Sequence, residues 1–178
     1  NAPDSAAADW IFAQKEIVIQ HGTVVWTDDL NPLQREKAPL HLDDVSWVLQ
    51  NSSRHHQWRL EATPPQGWGD KFVLMGDVKR NLLSTHPGRF KDWSGQLHAA
   101  FPNVDLSQLG PHLPWTVHAV QGQGALRMWL DLNNGNIKQA TADLVLKNAK
   151  AKLSAELQEL SFKDIAGRVS FKPLSKGF

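Results

Sequence analysis

The 178-residue chain contains no cysteine and no tyrosine. Without cysteine it forms neither disulfides nor thiolate metal sites, and this absence fits an oxidising compartment only weakly. No apolar run approaches the roughly 18–20 residues of a membrane-spanning helix, and no signal peptide is recognisable. The 19 basic and 18 acidic residues nearly cancel, so we expect neither a nucleic-acid partner nor a polybasic membrane patch.

The length suits one domain that is large enough to bury a core. Because the chain begins at Asn1 and not at Met, we interpret it as a processed product or as a segment excised from a larger protein. Residues 1–8 are small and polar and predict a flexible lead-in, which leaves 9–178 as a single segment. Asp9 suits the N-cap of a short helix over residues 10–14.

The clearest pattern is a long β-hairpin over residues 122–154. Apolar side chains recur at every second position of both strands, so one face is apolar and the other is charged. What covers the apolar face is therefore the functional question. The apolar set consists of Leu126, Met128, Leu130, Leu132, Ala140, Ala142, Leu144 and Leu146.

The loop of this hairpin decides its register. Asn134-Gly135 suits a two-residue type I′ turn, but that loop would set apolar residues opposite polar ones along both strands. A loop of three or five residues sets apolar residues opposite apolar ones. It also places Arg127 opposite Asp143, a favourable cross-strand pair. We therefore predict a three-residue loop closed by Asn133 and Ile137.

The same alternation recurs along most of the chain and predicts about ten antiparallel strands. Residues 16–27 predict a tight hairpin about His21-Gly22, with Ile17, Ile19 and Val24 on its apolar side. A second pair of strands carries Trp47 and Leu60 on its apolar side.

Shorter features complete the pattern. Gly76 inside a strand indicates a bulge or bend, as does the Gly122–Gly124 stretch. Residues 105–109 predict a one-turn helix capped by Asp105. Residues 159–171 predict a last pair of strands.

Two short helical pieces are too few to cover so long an apolar face. Such a sheet must close into a barrel, fold over itself as a sandwich, or curl into an open trough. An open trough needs an apolar occupant, since exposed apolar patches beyond roughly a few hundred Å² are rare without a function.

Several patterned β segments carry a family resemblance. They are residues 10–19 (WIFAQKEIVI), 22–29 (GTVVWTDD), 42–45 (LDDV), 122–131 (GQGALRMWLD) and 165–169 (IAGRV), together with the run from His56 to Pro65. These segments resemble the YhdP branch of the AsmA-like proteins over most of residues 10–170. They contain no catalytic signature.

The resemblance implies both a fold and a function. Members of that family are large envelope proteins of Gram-negative bacteria, anchored in the inner membrane by an N-terminal helix and similar to bridge-like lipid transfer proteins. The implied fold is mainly β: a long, strongly curved antiparallel sheet forming an open groove, with one or two short helices. The implied role is a section of a periplasmic bridge that moves phospholipid between the inner and outer membranes. That role supports outer-membrane biogenesis and the permeability barrier, and this section itself carries no membrane helix.

The partners follow from the same resemblance. They are phospholipid acyl chains and adjacent β-groove segments of the same chain. Since unpaired edge strands recruit partners, we also expect edge-to-edge self-association.

The candidate lipid-binding surface is the apolar side of the strands. A lipid tail gains about 0.8 kcal/mol per buried methylene through non-directional contacts. The alternative for this surface is an ordinary closed core. The candidate groove residues are Leu126, Met128, Leu130, Leu132, Leu144, Leu146, Ile17, Ile19, Val24, Trp47 and Leu60.

Eight tryptophans support a second interpretation, a closed β-sandwich or barrel that binds carbohydrate or envelope polymer through exposed rings. Trp26 and Trp47 fall on the apolar stripe, which favours packing for both. Trp129 falls on the polar face and Trp68 in a loop, so these two are the candidates for an exposed role.

The remaining polar residues show no arrangement that suits catalysis. Adjacent His55 and His56 would point to opposite faces of a strand, and the other histidines lack ligand spacing. Neither a phosphate-binding loop nor a nucleophile elbow is present. We therefore predict no metal site, no cofactor and no enzymatic activity.

Overall fold

Eight antiparallel strands follow one another in chain order and form one sheet in the computed structural model. The structure describes residues 5–26, 39–109, 118–152 and 158–173. The strands are β1 (Glu16–Trp26), β2 (Leu40–Ser52), β3 (His55–Thr63), β4 (Phe72–Arg80), β5 (Trp93–Asp105), β6 (His118–Asn133), β7 (Asn136–Lys152) and β8 (Leu160–Phe171). Two short helices, α1 (Ser5–Ala13) and α2 (Leu106–Leu109), and a 3-10 turn at Phe90–Asp92 accompany them.

The sheet does not close within the described residues. Within the described ranges, β1 pairs only with β2 and β8 pairs only with β7. The prediction of a mainly β, open antiparallel sheet with two short helices is confirmed, and the alternative of a closed sandwich or barrel is wrong. Eight strands replace the predicted ten because the two predicted hairpins at 16–27 and 159–171 are each a single strand.

The first of these hairpins is replaced by a bulge. His21 has a φ of 53°, and β1 continues past it to pair Ile19 with Trp47 and Val24 with Leu42 of β2. A second bulge in β2 at Asp44, with a φ of 47°, offsets the first. The two bulges contact each other, since His21 Nδ1 lies 2.7 Å from Asp44 Oδ1. Ile19 and Val24 consequently share a face as predicted, although they do not pair with each other.

The loop between β6 and β7 is a two-residue turn, so the predicted three-residue loop is wrong. Asn134 and Gly135 have φ values of 48° and 70°, which suits a type I′ turn. Leu132 pairs with Ile137, and the extra residue Lys138 then forms a bulge. This bulge shifts the register by one residue, so the remaining pairs are those predicted: Leu130–Ala140, Met128–Ala142, Leu126–Leu144 and Arg127–Asp143.

Helix α1 begins at Ser5, inside the predicted lead-in, and Asp9 lies within it instead of capping it. The Asp9 carboxylate accepts a hydrogen bond from the Gly88 N–H at 2.8 Å and lies 2.8 Å from His86 Nδ1. Ala8 lies so close to Gly88 that no Cβ would fit there. These contacts fix α1 against the segment that connects β4 to β5.

Two further predictions concern α2 and Gly76. Asp105 precedes α2, and its carboxylate accepts the Ser107 N–H at 2.9 Å, which confirms the predicted cap. Gly76 pairs regularly with Trp58 and Leu97, so the predicted bulge there is wrong. The Trp58 ring covers Gly76, and a Cβ at this position would overlap it.

Buried side chains form two bands on the apolar face, one at each end of the strands. The α1 band contains Leu49, His56, Val78 and Trp93. The α2 band contains Val45, Ala62, Phe72, Val104, Leu106, Leu126, Leu146 and Ala149. Phe101 packs against both clusters of the α2 band. The apolar strip between the two bands is the candidate site.

Candidate lipid-binding groove

A single row of apolar residues crosses the whole sheet between the two buried bands. Each strand contributes one residue, and each residue pairs directly with the next strand's residue. We call this set the central apolar row: Ile19, Trp47, Leu60, Leu74, Ala99, Met128, Ala142 and Val169. Because neighbouring strands lie about 4.8 Å apart, the row spans roughly 34 Å.

The central apolar row remains accessible along its length. None of its eight residues is buried, whereas both flanking bands are. At its two ends, Ile19 on β1 is 37% exposed and Val169 on β8 is 57% exposed. The row therefore reaches both edge strands as an uncovered apolar strip, which is unlike a closed core.

The α1 band closes one side of this strip. The Phe12 ring of α1 packs edge-on against Trp93 at 4.7 Å and against His56 at 5.3 Å between centroids. Asn51 ties the end of α1 to β2, because its Nδ2 donates to the Gln14 carbonyl at 2.6 Å and its N–H to the Lys15 carbonyl at 2.8 Å. An aromatic cluster therefore bounds the strip at this end of the strands.

His56 is the one polar side chain among the buried residues of the described chain. It is 1% exposed, and its Nδ1 lies 2.7 Å from Asn51 Oδ1. Burial lowers the pKa of His56 to about 4, with smaller contributions from the Arg80 and His55 charges. The imidazole is consequently neutral near pH 7 and adds no charge to the apolar face.

The α2 band closes the other side. Leu106 of α2 and Val104 of β5 pack against Leu126, Leu146 and Ala149. Phe72 and Phe101 stack at 5.3 Å between centroids and connect this cluster to the one around Val45 and Ala62. The apolar face is thus a strip with packed sides at the strand ends and openings at the two sheet edges.

All eleven residues predicted for the groove lie on this apolar face, at different depths. Ile19, Trp47, Leu60 and Met128 belong to the central apolar row. Ile17, Val24, Leu130, Leu132 and Leu144 lie beside the row and are exposed or half-buried. Leu126 and Leu146 are buried in the α2 band, so these two side chains support the strip instead of lining it.

The prediction missed Leu74, Ala99, Ala142 and Val169 as members of the strip. Their period-two alternation was visible in the sequence, but only the strand order shows that they continue the same row. Phe12 was also missed. No sequence signal identifies it, because its role depends on α1 docking against residues 86–93.

The opposite face of the sheet is polar. Trp129 lies there, 37% exposed, as predicted. His55 also lies there, 2.6 Å from Asp77 Oδ1, and His56 is on the apolar face, so the two side chains point to opposite faces as predicted. Trp68 is half-buried in the loop between β3 and β4. The side chain of Trp26 lies outside the described residues.

Asp143 has a different partner from the one expected. Arg127 lies opposite it in the register, but Arg168 of β8 makes the two-pronged contact, Nε to Oδ1 at 2.6 Å and NH2 to Oδ2 at 2.8 Å. The hydrogen bond from Arg168 holds the pKa of Asp143 below its usual value, and Arg127 contributes only a smaller electrostatic effect. The guanidinium of Arg168 also lies 5.9 Å from the Trp129 ring centroid.

The described residues also bear on membrane-spanning and metal-binding functions. No helix there is long and apolar enough to cross a membrane. No group of three or more His, Asp or Glu side chains there is placed to hold a metal ion.

Comparison with known families gives a match. The family model described as YhdP protein matches residues 1–178, which is the whole chain. No curated protein and no solved structure matches. The open β sheet and the match over the whole chain agree with a general role in lipid transfer at the cell envelope. The chain belongs to the YhdP family.

Proposed function

We propose that this chain is one section of a periplasmic bridge that conducts phospholipid between the inner and outer membranes. In this proposal the acyl chains lie along the central apolar row and the polar headgroups remain in water. The family match supports a lipid-transfer role in general, and the proposal adds the lipid class, the compartment and the path.

The observation that carries the proposal is the continuity of the central apolar row. Eight apolar side chains, one per strand, form an uninterrupted strip between two packed bands. An uncovered strip of roughly 34 Å costs free energy in water unless something apolar covers it. A mobile acyl chain suits such a strip, because apolar contacts are non-directional and allow sliding.

The edges of the sheet favour a section of a bridge and disfavour a self-contained lipid carrier. β1 and β8 each present one side of their backbone without a strand partner among the described residues. The central apolar row ends at these two edges, at Ile19 and Val169. Neighbouring segments of a longer chain that pair with β1 and β8 would continue both the sheet and the strip.

The test replaces Met128 by Asp and compares it with Val145→Asp. Met128 lies in the centre of the strip and is half-buried, whereas Val145 lies on the polar face of β7 and is 59% exposed. We expect both variants to keep a β-type circular dichroism spectrum, since each carboxylate can reach water. Native mass spectrometry should show phospholipid on the parent and on Val145→Asp, and strongly reduced phospholipid on Met128→Asp.

The two variants should also differ in their effect on the outer-membrane barrier when they are made in the full-length protein. Met128→Asp should weaken the outer-membrane barrier, measured as sensitivity to large antibiotics, while Val145→Asp should not. A Met128→Asp variant that unfolds would indicate a closed core, and one that still carries lipid like the parent would place the lipid elsewhere. Either result would overturn the proposal.

A further inference from the structure

The polar face carries a second row that crosses the sheet. It contains one residue from each of β1 to β7, and each residue pairs directly with the next. We call it the polar row: Glu16, Gln50, Gln57, Asp77, Gln96, Asp131 and Gln139. From β3 to β7 its members alternate strictly between amide and carboxylate.

The polar row is held in an ordered conformation by its own hydrogen bonds. Gln50 Nε2 donates to Glu16 at 3.1 Å, Gln57 Nε2 to Asp77 at 2.7 Å, and Gln96 Nε2 to Asp131 at 3.2 Å. Each bond uses one donor of an amide that has two and one acceptor of a carboxylate that has several. Asp77 has a second partner, since its Oδ1 lies 2.6 Å from His55 Nε2. The row still presents donors and acceptors to solvent, because each amide keeps a second N–H and each carboxylate oxygen has two lone pairs.

Trp129 lies beside this row on β6, two residues from Asp131. Its ring contacts His98 at 5.2 Å, with a tilt of 52°, and Arg168 at 5.9 Å. Two shallow hollows flank it. One, of about 290 Å³, is lined by Gln96, Asp131, Gln139, Thr141 and Arg168. The other, of about 310 Å³, is lined by the polar Gln57, Asp77 and Gln96 and also by the apolar Trp58, Met75, Leu97 and Leu130.

The chemistry of the polar row selects among ligand classes. Its charged members are all acidic, which disfavours phosphate-rich polymers and anionic lipid. Beside it lie Trp129 and the directly paired Val18 and Val48, too small an apolar surface to anchor a protein partner. Paired amides and carboxylates beside an indole ring suit a polyhydroxyl ligand, because hydroxyl groups both donate and accept and the C–H face of a sugar ring packs on an aromatic ring.

The spacing of the polar row favours a polymer over a single sugar. Its members repeat every 4.8 Å or so, the distance between strands, over roughly 29 Å. This repeat is comparable with the length of one pyranose unit in an extended chain. In an extended β-1,4-linked chain neighbouring sugars are turned over relative to each other, so equivalent faces of the sugars recur at every second strand, as the amides and the carboxylates do from β3 to β7.

The geometry points to a glycan-binding site on the polar face, in which an extended polysaccharide lies along the polar row and one sugar packs against Trp129. This site is independent of the apolar strip, since it uses the opposite side chains of the same strands. A lipid-conducting section would then also be fixed to a carbohydrate polymer of the envelope.

The test is isothermal titration of the chain with β-1,4-linked N-acetylglucosamine and glucose oligomers of two to six units. We expect affinity to rise with each added unit up to the hexamer, because each unit reaches another strand. Trp129→Ala should lose about tenfold or more in affinity for the hexamer, and Gln96→Ala several-fold. Trp129→Phe, which keeps an aromatic ring, should lose less and serves if Trp129→Ala does not fold.

The matched control is Trp10→Ala, since Trp10 is 65% exposed and lies on α1, away from the row. It should bind the hexamer like the parent. Bound phospholipid, measured on the same samples, should be unchanged in Trp129→Ala, so loss of glycan binding can be told apart from loss of the groove. No binding of either hexamer by the parent, or equal binding by the Trp129 and Trp10 variants, would overturn the proposal.

Discussion

The central apolar row and the polar row run across the same strands on opposite faces, and they are built by different rules. The apolar row contains side chains of very different size, from Ala99 to Trp47, in no fixed order. From β3 to β7 the polar row alternates amide with carboxylate, and two of these amides donate hydrogen bonds to carboxylates on neighbouring strands. A non-directional ligand needs only a continuous apolar strip, whereas directional hydrogen bonds require a repeating pattern.

The two faces also differ in how burial is distributed. On the apolar face, burial is concentrated in the α1 and α2 bands at the strand ends, and these bands supply the packed core. The polar face has no such bands among the described residues. The packed core and the accessible strip are consequently separate on the apolar face: the bands hold the sheet together, and the strip between them is exposed or half-buried.

A carboxylate placed in one of the buried bands tests the difference between the two faces most strongly. Leu49 is 0% exposed in the α1 band, and its neighbour Val48 points to the polar face and is 39% exposed. Leu49→Asp buries an unpaired charge, and we expect a loss of about 5 kcal/mol in the free energy of unfolding, enough to unfold most of the chain. Val48→Asp should change it by about 0.5 kcal/mol or less.

Urea denaturation followed by circular dichroism measures both variants. Met128→Asp should fall between them, because Met128 lies in the strip and not in a band. If Leu49→Asp and Met128→Asp proved equally destabilising, the distinction between band and strip would fail and the apolar face would behave as one closed core.

A smaller effect separates two glycines on the apolar face. Gly76 lies beneath the Trp58 ring, so Gly76→Ala must displace this ring, at a cost of about 1–3 kcal/mol. Gly167 on β8 has no atom within 4 Å of its added Cβ. Gly167→Ala should therefore stabilise the sheet by about 0.5–1 kcal/mol, because glycine is costly inside a strand. Thermal unfolding of both variants is the measurement. Stability changes of the same sign in the two variants would contradict the placement of the Trp58 ring over Gly76.

The faces of the strands could be predicted from alternation alone, and so could the register of β6 against β7. The turn between them could not. Asn134-Gly135 does form the two-residue turn that its residues favour, and a bulge at Lys138 then restores the register that the apolar pattern demands. The extra residue, Lys138, satisfies both the local preference for a two-residue turn and the pairing of the apolar residues. Neither pattern in the sequence shows where this extra residue lies.

The other failures have a related cause. His21-Gly22 resembles a hairpin turn, yet His21 adopts a positive φ as a bulge, and the contact from Asp44 stabilises it from 23 residues away. The polar row was equally invisible, since its members become neighbours only through six strand pairings. Patterns within a strand were readable in the sequence, whereas patterns across strands required the structure.

The smallest expected effect concerns the partner of Asp143. Register places Arg127 opposite it, but Arg168 donates two hydrogen bonds to its carboxylate. Arg168→Gln should raise the pKa of Asp143 towards its ordinary value, and Arg127→Gln should raise it less. The measurement is an NMR titration of the Asp143 carboxyl carbon in the parent and the two variants.

The stability of the parent protein should depend on pH through the Asp143 carboxylate, and the direction of this dependence follows from its pKa. The folded-state pKa of Asp143 lies below its ordinary value of 3.8, so its contribution is present above that value and is lost as pH falls through the folded-state pKa. Arg168→Gln should remove this part of the acid sensitivity, and Arg127→Gln should leave most of it. A larger pKa change in the Arg127 variant would mean that pairing within the hairpin outweighs the contact from β8. In that case cross-strand register alone would decide which charges pair on the polar face. The expected result, a larger pKa change in the Arg168 variant, would show that β8 orders Asp143. Because Arg168 also lies over the Trp129 ring, β8 would then help to order both side chains.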